Sequence, residues 1–129
     1  MSNIIVFDSS AFIALLAKEK GFETIQTHLR NAVISSVNVA EIYKYCIDVQ
    51  KLTESECQDI IAMSGIKIID FDEKQSLITA KIYPTTKKYG LSIGDIACVS
   101  LAIINNCPII TCDRIWKNIK LNVEFIMVR

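Results

Sequence analysis

The sequence predicts an α/β domain built on a mainly parallel sheet. Five short runs, most of them rich in isoleucine and valine, recur along the chain, and each is too short to be a helix. Longer stretches of helical period separate them. Strand therefore alternates with helix, the pattern of a sheet whose crossover connections cover both of its faces.

Taken in order, the first strand is expected over Ile4 to Phe7 and the first helix over Ala11 to Lys18. A helix over Glu23 to Leu29, a strand over Ala32 to Ile34 and a helix over Val37 to Asp48 follow. Glu54 to Met63 has the helical period and stops before Gly65, which suits a left-handed C-terminal residue. After the strand Ile66 to Ile69, Asp72 opens Asp-x-x-Gln, a capping-box pattern for a helix over Glu73 to Tyr83. Pro84 should end or kink that helix, because it lacks a donor and biases Tyr83 away from helical geometry. Gly90 is a second left-handed stop, and Ser92 opens Ser-x-x-Asp, a capping box for a helix over Ile93 to Asn105. Strands over Pro108 to Ile110 and Val123 to Ile126 complete the set. No repeat, low-complexity tract or linker divides the chain, so a single domain over residues 1–129 is expected.

A chain of 129 residues that is 51% hydrophobic can bury roughly two thirds of its unfolded surface in one core. Charged residues make up 22% and the formal net charge is zero, so no global basic field draws in nucleic acid. Any RNA binding has to rest on local patches and bound cations. Cys46, Cys57, Cys98, Cys107 and Cys112 form no Cys-x-x-Cys pair, and the lone His28 is remote from them in sequence. They read as small buried hydrophobes of a reducing cytoplasm rather than as zinc ligands or disulfide partners. Met1-Ser2-Asn3 lacks a basic leader, and no apolar run approaches the ~18 residues of a membrane span, so a soluble, unexported chain is expected.

Function turns on where the carboxylates fall. Asp8 directly follows the first strand and Asp113 follows Ile109-Ile110-Thr111-Cys112, both just beyond carboxyl ends of strands, the edge at which open α/β sheets bind ligands. Glu41 and Asp95 lie in early turns of helices that start at the same edge. Parallel pairing would bring all four to one rim. Two carboxylates 4 Å apart repel by about 4 kcal/mol at an effective dielectric of 20, so such a cluster protonates or recruits a cation. Oxygen donors without His or thiolate select magnesium or manganese, ions that support phosphodiester hydrolysis.

Each acid also has a structural use. Asp8 could cap a helix, Asp95 could complete the box with Ser92, Asp113 could start a turn and Glu41 could be a solvated helix residue. Glu41 fits its structural use least well, since Val39-Ala40-Glu41-Ile42 embeds a charge among apolar neighbours and suggests a largely buried acid. Ser9, Ser10 and Thr111 stand beside the acids and could orient a carboxylate or a water, or simply cap a helix and fill a strand.

These segments resemble the PIN-domain family, and within it the VapC toxin branch. Ile5-Val6-Phe7-Asp8-Ser9-Ser10 is similar to the first acidic motif, and Ile34-Ser35-Ser36-Val37-Asn38-Val39-Ala40-Glu41 to the segment ending in the helical glutamate. Leu91-Ser92-Ile93-Gly94-Asp95-Ile96-Ala97 resembles the third motif, and Ile110-Thr111-Cys112-Asp113-Arg114-Ile115-Trp116 the Thr-x-Asp segment. Each pattern is weak alone; four in order over nearly the whole chain are strong. The resemblance implies a three-layer α/β/α sandwich with five strands, and a magnesium- or manganese-dependent endoribonuclease. It also implies homodimerisation and neutralisation by a small VapB-like antitoxin. Asp8, Glu41, Asp95 and Asp113 carry over as the catalytic and metal-binding set. Trp116 stands where phenylalanine is more usual, and Pro84 interrupts the helix before the third motif.

Lys87, Lys88, Arg114, Lys117 and Lys120 flank the third and fourth motifs and are candidate phosphate contacts, or ordinary solvated residues. The apolar faces of Phe12 to Leu16 and Tyr43 to Ile47 could form a dimer or antitoxin surface, or pack on the sheet. Competing readings are an RNA-maturation nuclease of the same fold, a catalytically silent binding module, and a phosphoacceptor or phosphatase domain. The last is weakened because Ser9-Ser10 after Asp8 supplies no second acid.

Overall fold

The computed structural model describes residues 3–129; Met1 and Ser2, on which part of the leader argument falls, lie outside the described residues. Five strands form one sheet, β1 (Ile5–Phe7), β2 (Ala32–Ser35), β3 (Lys67–Ile69), β4 (Ile109–Thr111) and β5 (Phe125–Met127), in the order β3-β2-β1-β4-β5. Every pairing is parallel, with Val6 opposite both Val33 and Ile109. The order reverses between β1 and β4. Connections from β1 run one way and those after β3 cross to the other side, so a crevice opens beyond the carboxyl ends of β1 and β4.

Alternation along the strands builds two cores. Ile5, Phe7, Ala32, Ile34 and Ile110 face the helices α1 (Ser9–Leu16), α2 (Phe22–Thr27), α3 (Ser36–Asp48) and α4 (Glu54–Ser64). Val6, Val33 and Ile109 face α6 (Ile93–Asn105), and α5 (Glu73–Thr86) packs outside α6, where Thr79 and Ser100 hydroxyls bond at 2.7 Å. Both faces are covered, which is why the central strands read as unbroken apolar runs. The edge strand β3 is more exposed and carries Lys67, a charge that discourages pairing with another sheet. Trp116 is buried and stacks on Phe125 with ring centroids 4.7 Å apart, so the larger ring is accommodated against β5.

An expected helix end and an expected capping box need correction. Pro84 neither ends nor breaks α5, which runs on to Thr86. The proline sits in the last turn, where few hydrogen bonds remain to lose, and buried Thr86 donates its hydroxyl to the Ile82 or Tyr83 carbonyl. Asp72 caps α5 through the Gln75 amide at 2.9 Å, but the Gln75 side chain turns to the Asp70 carbonyl, so the box is half made. Complete boxes stand at Ser92 with Asp95 and, unforeseen, at Thr53 with Glu56. Gly65 and Gly90 adopt the expected left-handed conformation, at φ of 76° and 67°.

Candidate metal centre at the carboxyl edge of the sheet

Asp8 leaves β1 at the point where the order reverses. Its backbone is extended, and its Oδ1 accepts the Ala11 amide at 2.9 Å and the Ser10 hydroxyl at 2.6 Å, so it caps α1. Its Oδ2 accepts the Thr111 hydroxyl from the neighbouring strand. Thr111 Oγ1 in turn accepts the Asp113 amide at 2.9 Å, while Ser10 Oγ accepts the Cys112 amide at 3.0 Å. Two hydroxyls thus stitch the end of β1 to the end of β4 and set Asp8 beside Asp113. Asp113 caps a short 3-10 turn over Arg114–Asn118 through the Ile115 amide at 3.1 Å.

The other two acids come from the second turn of α3 and the first turn of α6. Asp95 completes the Ser92 box, its Oδ2 accepting the Ser92 amide at 3.0 Å. Glu41 Oε1 accepts the Asn38 side-chain amide at 2.8 Å, and the same nitrogen reaches the Gly94 carbonyl at 3.1 Å. A Cβ on Gly94 would fall 2.6 to 2.7 Å from the Glu41 carboxylate atoms, so the acid lies directly against the α6 backbone.

Electrostatics confirm a shared field. Asp8 is only 4% exposed, and burial pushes its carboxyl up to about 6 from 3.8 against the hydrogen bonds that hold it down, with the Asp113 charge adding to the rise. Burial likewise raises Asp95, helped by the charges of Glu41 and Asp113. The buried Cys98 thiol beneath them is pushed well up by burial, then by Asp8, Asp95 and Glu41.

All four expected acids therefore meet on one rim, and each also performs the structural task that competed with it. Capping and convergence are compatible because the caps orient the carboxylates. Glu41, expected to be largely buried, is half-buried; Asp8 is the deeply buried acid. Ser10 and Thr111 touch Asp8 as expected, whereas Ser9 opens α1 and, among the described residues, makes no side-chain bond to the acids. Asn38 and Gly94 were not singled out from sequence.

The donor set is all hard oxygen, which suits magnesium or manganese. Among the described residues no three acidic, histidine or cysteine side chains approach closely enough to hold an ion alone. A magnesium ion commonly keeps several of its waters and takes only one or two carboxylates. A cleft of about 290 Å³ lined by Cys107, Pro108 and Glu124 lies at the opposite sheet edge and contains none of the four acids.

A PIN-domain family profile matches residues 5–121. The chain belongs to the PIN-domain family. No curated protein sequence matches it. Among solved structures, a chain of VapBC2 from Rickettsia felis bound to a promoter DNA fragment aligns at TM-score 0.73 and 21% identity, over 98% of this chain and 99% of that one. DNA-bound VapBC from Salmonella typhimurium aligns at TM-score 0.76 and 15% identity, over the full length of both chains. VapBC-1 from nontypeable Haemophilus influenzae gives TM-score 0.71 at 20% identity, over 96% and 97%. At these identities the likeness is one of fold, and this PIN domain has the α/β/α architecture of those proteins.

One consequence for the PIN rim is testable at Gly94. In Gly94→Ala the new methyl must displace the Glu41 carboxylate, while helix propensity gains up to about 1 kcal/mol. Thermal unfolding should shift little, by about 1 kcal/mol or less either way, yet the affinity for any divalent ion that Glu41 helps to hold should fall about 10- to 100-fold. Unchanged affinity in calorimetric titration would show that Glu41 can move without consequence.

Proposed function

We propose that this PIN domain is a magnesium- or manganese-dependent endoribonuclease, the toxin of a type II toxin–antitoxin pair, acting in the cytoplasm as a homodimer and held inactive by a VapB-like antitoxin. The observation that carries the reading is the convergence of Asp8, Glu41, Asp95 and Asp113 at the switch point, with Asp8 buried in the field of Asp113. Burying like charges together is unfavourable unless a cation neutralises them. Asp8 and Asp95 would anchor the principal ion, with Glu41 and Asp113 completing the pocket through water or a second ion. When bound there, magnesium supplies Lewis-acid polarisation of a phosphoryl oxygen and acidifies water.

The chain's own groups prepare that chemistry. Ser10 and Thr111 hold the two Asp8 oxygens in one orientation, and the Ser92 box does the same for Asp95. Lys87, Lys88, Arg114 and Lys117 are exposed on segments at the same edge, and among the described residues the one ion pair is Arg129 with Glu19, elsewhere. Lys88 lies over the Tyr89 ring at 5.2 Å, and the group is available to meet the phosphates of RNA. Exposed Ile47 on α3, which lines a groove with Tyr43 and Cys57, supports a surface for the antitoxin or the second protomer. The nuclease reading is favoured over a silent module because the rim keeps every acid together with its orienting hydroxyls.

The test is magnesium-dependent cleavage of structured RNA by Asp8→Asn and Asp95→Asn variants. Loss of cleavage is expected in both, and full activity in either would end the assignment. Mapping RNA ends in cells, with and without the neighbouring gene, separates toxin from RNA maturation. Replacing Arg114 or Lys117 by alanine should weaken RNA binding at all sequences and lower the salt dependence by about one unit per contact. An unchanged slope would assign that residue to solvent.

A further inference from the structure

On the proposed reading of the rim as a divalent-cation site, we infer that Asn38 is a positioning residue that fixes Glu41 for that cation. Asn38 lies one helical turn before Glu41 on α3, with its side chain 1% exposed. Its Nδ2 donates to Glu41 Oε1 at 2.8 Å and to the Gly94 carbonyl at 3.1 Å. Rotating the amide would face its oxygen with two acceptors, so the orientation is imposed by chemistry. One side chain thereby joins α3 to the first turn of α6, next to Asp95.

The arrangement is specific to the acid. The amide engages Oε1 alone and leaves Oε2 without a bond to it, while the Gly94 backbone, bare of Cβ, lies directly against the carboxylate. Asn38 Oδ1 is buried with no hydrogen-bond partner among the described residues. A core position chosen for stability alone would not keep an orphaned carbonyl, since an apolar residue avoids that desolvation. The cost is explained if what is retained is the donor. Held between amide and glycine, Glu41 keeps Oε2 clear of the Asn38 amide and close to the first turn of α6, which carries Asp95.

A merely structural Asn38 and a positioning Asn38 differ in one thermodynamic cycle. Mn²⁺ binding to the full chain is titrated by paramagnetic resonance for wild type, Asn38→Ala, Glu41→Gln and the double variant, with unfolding temperatures recorded for all four. Asn38→Ala should weaken Mn²⁺ binding about 10- to 100-fold in the wild-type background, the usual effect of losing a group that orients a ligand. In the Glu41→Gln background it should change affinity less than about twofold, because the group it acts through is gone. Should Asn38→Ala fail to fold, Asn38→Ser carries the same comparison. Equal losses in both backgrounds would overturn the inference. So would unchanged affinity in Asn38→Ala while Asp8→Asn abolishes binding, a result that leaves the cation site standing. If Asp8→Asn, Asp95→Asn and Glu41→Gln all bind Mn²⁺ like wild type, the cation site itself fails and the inference falls with it.

Discussion

Asp8→Asn is expected to make this PIN domain more stable at neutral pH when no divalent cation is present, and to eliminate the magnesium-dependent RNA cleavage proposed for it. Asp8 is buried, and its carboxyl is pushed up to about 6 from 3.8, mainly by desolvation. A carboxyl whose pKa is raised by folding binds its proton more tightly in the native state. Its contribution to stability is full below pH 4 and is lost as pH rises through 6. At 1.36 kcal/mol per unit the loss amounts to about 3 kcal/mol above pH 7. The substituted amide removes this penalty and keeps the contacts. Its oxygen can accept from Ala11 and Ser10, its nitrogen can donate to Thr111 Oγ1, and the Thr111 proton can turn to Ser10 Oγ, 3.2 Å away. Denaturant melts across pH should show the variant matching wild type near pH 3.5 and exceeding it by about 3 kcal/mol at pH 7.5. Adding Mg²⁺ should close the gap from the wild-type side, because binding to the native state alone stabilises by mass action. Cleavage should fall about 100-fold or more, since losing a ligand costs at least as much as losing its orienting partner. A gap independent of pH would mean that the native fold does not penalise the Asp8 charge.

The sequence already carried the reasons why these acids meet. Strand ends are visible as the last residue of an apolar run, and parallel alternation sends every such end to one edge, so Asp8 and Asp113 could be placed together from the pattern alone. The Glu41 environment could not. Val39 and Ile42 do face the core, but each residue turns the helix by 100°, which carries Glu41 off that face to the seam with α6. Whether a seam residue is covered depends on a neighbour 53 positions away, and nothing local encodes that distance. Asn38 and Gly94 escaped notice for the same reason. An asparagine in a first helical turn reads as ordinary polar decoration, and a glycine in a capping sequence reads as a local weakness. Their roles exist only once α3 and α6 are in contact. Pro84 shows the converse error, in which a strong local rule yielded to a helix already held by packing and by the Thr86 hydroxyl.

Thr111→Val tests whether the link between β1 and β4 is part of the site or only part of the sheet. Threonine and valine have the same shape and both favour strands, so the buried backbone of β4 should persist. What disappears is a hydroxyl that donates to Asp8 Oδ2, accepts from the Asp113 amide and lies 3.2 Å from Ser10 Oγ. Removing a donor to a charged acceptor costs about 1.5 to 3 kcal/mol, and leaving the part-buried Asp113 amide without its acceptor costs about 1 kcal/mol more. A total loss of about 2.5 to 4 kcal/mol is expected at pH 7.5. It should narrow as pH falls below 6, since protonated Asp8 no longer needs the donor. Thr111→Ser, which retains the hydroxyl, should recover most of the loss. Divalent-ion affinity separates the two roles, because a hydroxyl that orients Asp8 should weaken binding about 10- to 100-fold when removed. A valine variant that melts early yet binds Mn²⁺ like wild type would confine Thr111 to holding the strands together. Weakened binding that serine restores would place the hydroxyl in the machinery of the rim.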